Sequence, residues 1–229
     1  MVLSDWMSPN YREHNENIQV SNLPIIYSFR RCPYAIRARM AIRASGIRVE
    51  LREIDLKNKV DEFVRISPKA TVPVVQTAEG RVIEESIDIM DWALSASDPE
   101  GWLKDVDRPL IDQCDYEFKP LLDRYKYHVR YTDVGLEKAR EDCCGFLETL
   151  DRRLEQKDWL AGSNRSLTDV AIFPFVRQFA GVDLKWLSNS GYENLNRWFA
   201  HWLEDDHFKA VMVKFAVWSP EQPSVLFPQ

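Results

Sequence analysis

The chain has 229 residues, enough to bury a sizeable core in one or two domains. Its 45% hydrophobic and 29% charged residues are those of a water-soluble globular protein, and no apolar run approaches the ~20 residues of a membrane span. A net charge of −6, with no basic stripe interleaved with aromatics, points away from nucleic acid.

Residues 1–22 are polar and aperiodic, so they read as an N-terminal extension. Asp5, Arg12, Glu13 and Glu16 leave no room for the apolar core of a signal peptide, and a cytoplasmic protein is expected. Leu23 to Phe29 is short, apolar and rich in strand formers, which predicts a buried strand. From Pro33 to Ser45, Ala35, Ile36, Met40 and Ala44 recur at helical spacing, and Gly46 follows as a C-terminal cap. Ile47 to Leu56 alternates apolar and charged residues, a second strand. Strand, helix and strand at this spacing form a βαβ unit with parallel pairing. A short helix is expected over Val60–Ile66. A strand is expected over Val72–Gln76, a turn at Ala78–Arg81, and a returning strand from Val82. Glu84-Glu85-Ser86 then opens a helix. The order is that of a thioredoxin-like domain over residues 23–97, and 98–108 reads as a linker.

From Pro109 the pattern is helical only. Leu110 to Arg130 reads as one long helix kinked at Pro120. Leu136, Ala139, Cys143, Phe146, Leu147, Leu150 and Leu154 form the apolar stripe of another. Ser166-Leu167-Thr168-Asp169 resembles a capping box ahead of the run Val170–Phe179. Helices also fit Tyr192–Glu204 and Phe208–Lys214. The proline-bearing tail from Ser219 reads as extended, with no strand anywhere in this half. The expected architecture is an α/β thioredoxin-like domain followed by an all-helical domain over 109–229.

Cys32 sits between the first strand and first helix, at the N-cap, with Pro33 at the first helical position. Unpaired N–H groups and the positive end of the helix dipole face a sulfur placed there. Such sites draw a thiol down from ~8.5 towards ~3.5–7.5. Arg30, Arg31 and Arg37 add positive charge if they turn inward. A small buried cysteine in a tight turn is the plainer reading. Ala35 stands where a Cys-x-x-Cys motif would place its second cysteine, and the four cysteines show neither disulfide nor metal spacing. Cys114 and Cys143 read as helix packing, and the histidines form no metal cluster. Tyr27 lies within the strand and reads as core.

Taken together, Cys32-Pro33-Tyr34-Ala35, Leu56-Lys57-Asn58-Lys59, Ala70 to Val75, Glu84-Glu85-Ser86 and Ser166 to Asp169 resemble the cytosolic glutathione transferases, most of all the omega class. Ile36 stands where that class commonly has an acidic residue, and Tyr34 where Phe is common. The resemblance implies a glutathione transferase fold, a homodimer and glutathione as co-substrate, with no metal. It assigns Val72 to the cysteinyl part of glutathione, with Pro73 cis. Glu85 and Ser86 would hold the γ-glutamyl end and Lys59 the glycyl carboxylate. Without it, Pro73 is a strand-edge proline, Glu85 and Ser86 a helix start, and Lys59 a solvated lysine. A cysteine at the helix start implies thiol transfer through a Cys32–glutathione disulfide. Mixed disulfides, dehydroascorbate or S-glutathionyl compounds would be the small electrophilic or disulfide substrates. The alternatives are a glutathione-conjugating transferase and a non-catalytic binding protein on the same fold. The acceptor would sit between the two halves, beside Tyr34, Phe175 and Trp218.

Overall fold

The computed structural model describes residues 23–131 and 135–229; the expected extension over 1–22 lies outside them. Strand β1 (Ile25–Ser28), helix α1 (Pro33–Ser45) and strand β2 (Val49–Glu53) form the βαβ unit, with β1 and β2 parallel. Gly46 ends α1 at φ 74°, the left-handed cap its lack of Cβ permits. Because that cap consumes the residues after it, β2 starts at Val49 rather than Ile47. Helix α2 (Asp61–Ile66), β3 (Val74–Gln76), β4 (Val82–Ile83) and α3 (Ser86–Ala96) follow. Strand β3 begins only after Pro73, which has no N–H to give the ladder, and the Val72–Pro73 bond is cis.

The sheet has the order β4-β3-β1-β2-β5, and its last member corrects the sequence reading. The tail is not strandless: β5 (Val225–Phe227) returns from the C-terminal half to pair antiparallel with β2, Val49 opposite Phe227 and Leu51 opposite Val225. Three residues between prolines carry no readable alternation, and the open edge of β2 supplies the partner that makes them a strand.

The C-terminal half is helical up to that tail. The expected single helix over Leu110–Arg130 is divided into α4 (Arg108–Gln113), a π-helical turn (Cys114–Phe118), α5 (Lys119–Lys126) and a 3₁₀ turn (His128–Arg130). The Lys119 N–H reaches back five residues to the Cys114 carbonyl. The widened turn thus lies directly before Pro120, whose ring clashes with an ordinary α-helical turn. Helices α6 (Leu136–Arg153), α7 (Leu167–Ala180), α8 (Leu184–Ser188), α9 (Glu193–Glu204) and α10 (Asp206–Val211) complete the half. The capping box at Ser166 is present, and Asp169 does more than cap. Its buried carboxylate also accepts from the Leu160 N–H and the Trp198 indole, both at 2.9 Å.

One apolar core runs through both halves. Ile36, Met40 and Ala41 on α1 join Phe173 and Val176 on α7 and Phe199 on α9. Helix α1 is therefore buried on nearly every side, and its first turn is fixed where the halves meet. The connection between them is pinned too: the Asp98 carboxylate accepts from the N–H groups of Trp102 and Leu103, and the Trp102 carbonyl accepts from the Leu167 N–H at 2.7 Å.

Candidate active site

Cys32 is the N-cap of α1, in extended backbone, with Pro33 as the first helical residue. The N–H groups of Tyr34 and Ala35 point at its sulfur, as a helix start dictates. Arg39 and Lys119 lie near enough to act on it electrostatically. Neither was among the cations expected there. Of those, Arg30 turns to the Met212 carbonyl at 3.5 Å and Arg37 to Asp115, while Arg31 is exposed and lines a cavity with Cys32. The expected lowering of the thiol is also overturned. Burial pushes the Cys32 thiol up, and the two amides, Arg39 and Lys119 only partly oppose it. The thiol donates to the Val72 carbonyl at 3.6 Å.

Arg39 is fully buried. It spends its donors on the Ser28 hydroxyl, the Arg30 carbonyl at 2.9 Å and the Val211 carbonyl at 3.2 Å. Burial pulls its pKa down to about 10, with Glu53 opposing. Those bonds tie the loop before Cys32 to α10, so the cysteine's backbone is held from both halves.

Arg37 organises the next layer. Its guanidinium takes Asp115 on two bonds of 2.9 and 2.7 Å and donates to the Ser86 hydroxyl at 3.0 Å. The Tyr34 ring lies 5.0 Å and the Phe175 ring 5.1 Å from its central carbon. Ser86, at the first position of α3, thus accepts from Arg37 and keeps its own proton to give away. Glu85 is exposed and pairs with Lys69 at 3.4 Å.

A cavity of about 1020 Å³ opens between the halves. Cys32, Pro33 and Tyr34 line it from α1, Lys119, Asp123 and Lys126 from α5, Arg177 and Gln178 from α7, and Phe199 and Leu203 from α9. Of the residues singled out in the sequence, it brings together Cys32, Tyr34 and Arg31. Val72 adjoins them through the thiol. Pro73 and Ser86 are buried, and Lys59 is exposed on the loop after β2; they do not line this cavity. Phe175 is buried behind Tyr34, ring centroids 4.9 Å apart, and supports it rather than facing the cavity. Trp218 is elsewhere. Its N–H donates to the Glu53 carbonyl, and its indole covers Arg52 at 4.1 Å, on the strand side. Tyr27 is core: stacked on Phe63, hydroxyl held by Arg52 and Glu62, its pKa pushed up to about 12 by burial.

Family models named "Glutathione S-transferase, N-terminal domain" and "Glutathione S-transferase, C-terminal domain" match residues 26–101 and 133–201. The chain belongs to the glutathione S-transferase family. It is 26% identical over 196 residues to glutathione S-transferase omega-1 of Sus scrofa, covering 82% of this chain and 80% of that one. It is 25% identical over 203 residues to elongation factor 1-gamma of Drosophila melanogaster, 82% of this chain but 45% of the relative. A glutathione transferase family member from Pseudomonas fluorescens, solved with two glutathione molecules bound, shares the fold at a TM-score of 0.73 and 16% identity, over 86% of this chain and 95% of that one. In this family the fold is a thioredoxin-like domain followed by helices, as found here. Among the described residues no helix is long and apolar enough to cross a membrane, and no group of His, Cys, Asp and Glu could hold a metal ion.

Arg39, Lys119, Arg177 and the Arg37–Asp115 pair are the residues that sequence reasoning missed. One signal was legible: Arg177-Gln178 is a polar pair inside the apolar run Val170–Phe179, and both line the cavity.

Proposed function

We propose that this protein is a glutathione-dependent thiol transferase of the omega type, with Cys32 as nucleophile. The observation that carries the reading is a sulfur, rather than a hydroxyl, at the start of α1. It faces the amides of Tyr34 and Ala35 and opens on the cavity between the halves. Glutathione is taken as co-substrate, with Val72 and Pro73 against its cysteinyl part, Glu85 and Ser86 at the γ-glutamyl end, and Lys59 at the glycyl carboxylate. Ser86 is suited to that role because Arg37 leaves its hydroxyl proton for a carboxylate.

The chemistry follows from the sulfur. Cys32 thiolate attacks the glutathionyl sulfur of a mixed disulfide, and the S–S bond breaks. The other half leaves as a thiolate that takes a proton from water. A second glutathione thiolate then attacks the glutathionyl sulfur of the Cys32 adduct, giving glutathione disulfide and restoring Cys32. The Cys32 thiol donates to the Val72 carbonyl. A peptide ligand whose N–H takes that carbonyl removes the thiol's acceptor. The sulfur is then left facing N–H donors alone, which favours its anion.

The test is intact-mass analysis after treatment with glutathione disulfide. One adduct of about 305 Da is expected, the increment of a single disulfide exchange, and Cys32→Ala abolishes it along with thiol transfer. Transfer at the native rate in Cys32→Ala would refute the assignment. A second reading, a binding module without catalysis, draws on the elongation factor 1-gamma similarity; that variant would then change nothing, because there would be no turnover to lose. Turnover of a chlorinated aromatic electrophile without thiol transfer would instead mark a conjugating enzyme.

A further inference from the structure

Arg177 is a cation without a counterpart. It is partly buried at the end of α7, lies 5.3 Å from the Phe208 ring and lines the cavity that Cys32 lines. Among the described residues, no hydrogen bond or ion pair holds its guanidinium. Burial and the charge of Arg30 both lower its affinity for its proton, so the position disfavours a cation until an anion arrives. Its neighbour Gln178, on the same cavity, keeps a buried side-chain oxygen without a donor. The rest of the wall has the same sign. Lys126 rests on the Tyr127 ring at 4.9 Å and Arg31 on the Phe29 ring at 5.5 Å, neither paired with a carboxylate among the described residues. Asp123 is the one acid on this wall, and Lys119 pairs with it. Four cations and one acid line the cavity of a chain whose net charge is −6. A surface that only kept the protein soluble would not concentrate the minority charge in the cleft beside Cys32.

We infer that the acceptor bound beside Cys32 is a small carboxylate-bearing molecule, whose carboxylate Arg177 takes while the apolar wall of Phe199 and Leu203 covers its carbon skeleton. A guanidinium fork matches a carboxylate bidentately, and a partly dry site makes that pairing selective. The inference rests on the thiol-transfer reading and narrows it: neutral acceptors should be the poorer substrates.

Two glutathione mixed disulfides that differ at one end test it, one with 3-mercaptopropionate and one with 2-mercaptoethanol. Each is followed by release of the thiol in the presence of glutathione. With the native protein, kcat/KM for the carboxylate probe should exceed that for the neutral probe by about tenfold or more, the range of one charged hydrogen-bonded contact. The ratio should shrink as salt rises. In Arg177→Met it should fall towards unity, and in Arg177→Lys it should recover in part, with KM for glutathione unmoved in both. A native ratio near one overturns the inference without need of a variant. A ratio that survives in Arg177→Met, or a KM for glutathione that rises in its place, overturns it as well. If neither disulfide is turned over and Cys32 forms no adduct, the thiol-transfer reading itself has failed. Adduct formation with equal turnover of both probes removes only the anionic acceptor.

Discussion

Asp115→Asn probes the joint on which the site depends. Arg37 is 2% exposed and Asp115 14%, so the pair lies almost wholly out of water. The substitution removes the charge and one of two acceptor oxygens while leaving the guanidinium in place. Its other bonds, to Ser86 at 3.0 Å and the Ala171 carbonyl at 3.4 Å, are to neutral groups. Breaking a buried pair from one side costs about 3–5 kcal/mol, because the remaining charge is stranded. At about 2–4 °C per kcal/mol for a chain of this size, the melting midpoint should fall by roughly 6–20 °C. Urea unfolding at pH 7, read by tryptophan fluorescence, measures the loss directly. Arg37→Met combined with Asp115→Leu should lie closer to the native protein than Asp115→Asn does, since no charge is left unpaired. That double variant should still raise KM for glutathione, because the Ser86 hydroxyl loses the donor that orients it. A loss under about 1 kcal/mol for Asp115→Asn, the size of an exposed pair, would refute the burial argument.

Burial pushes the Cys32 thiol up, so its thiolate appears only as pH rises past the ordinary thiol range. Alkylation of the ligand-free protein by iodoacetamide should therefore be slower than that of free cysteine at pH 7 and still be climbing above pH ~8.5; a rate already flat there would show that the helix amides win over burial. The family resemblance also implies a homodimer, and light scattering should give a particle of about twice the 26.8 kDa chain mass; a monomer at micromolar concentration would overturn it.

The parts of the fold carried by short-range pattern were legible. Gly46 as a cap, Ser166 with Asp169 as a capping box and the βαβ unit all follow from residues close together in the chain. What was not legible depends on distant partners. Val225–Phe227 is a strand only because β2 has a free edge. Leu110–Arg130 bends by a π turn because Pro120 needs room within a helix that is otherwise packed. The site divides in the same way. Cys32 at the helix start was readable from its neighbours, while Arg39 comes to it from two turns further along α1 and Lys119 from the helical half. Trp218 looked like a wall of the acceptor site on aromatic character alone, and Arg52 claims it instead.

The other cysteines show what is particular to Cys32. Burial raises all four thiols: Cys114 well above its ordinary value, Cys143 to about 12, Cys144 less far. Cys114 sits inside the π turn, and Cys143 and Cys144 donate to carbonyls one turn back in α6 at 3.4 Å. A mid-helix sulfur meets carbonyl oxygens, because the N–H groups around it are already spent on the helix ladder. Cys32 alone stands ahead of a helix, where backbone N–H groups are left over and point at it. Burial acts on each of these sulfurs, but at one of them the donors needed to stabilise an anion are already in place. Under the proposed thiol transfer, a bound peptide backbone that takes the Val72 carbonyl would free the thiol from that contact, leaving burial as what its anion must overcome.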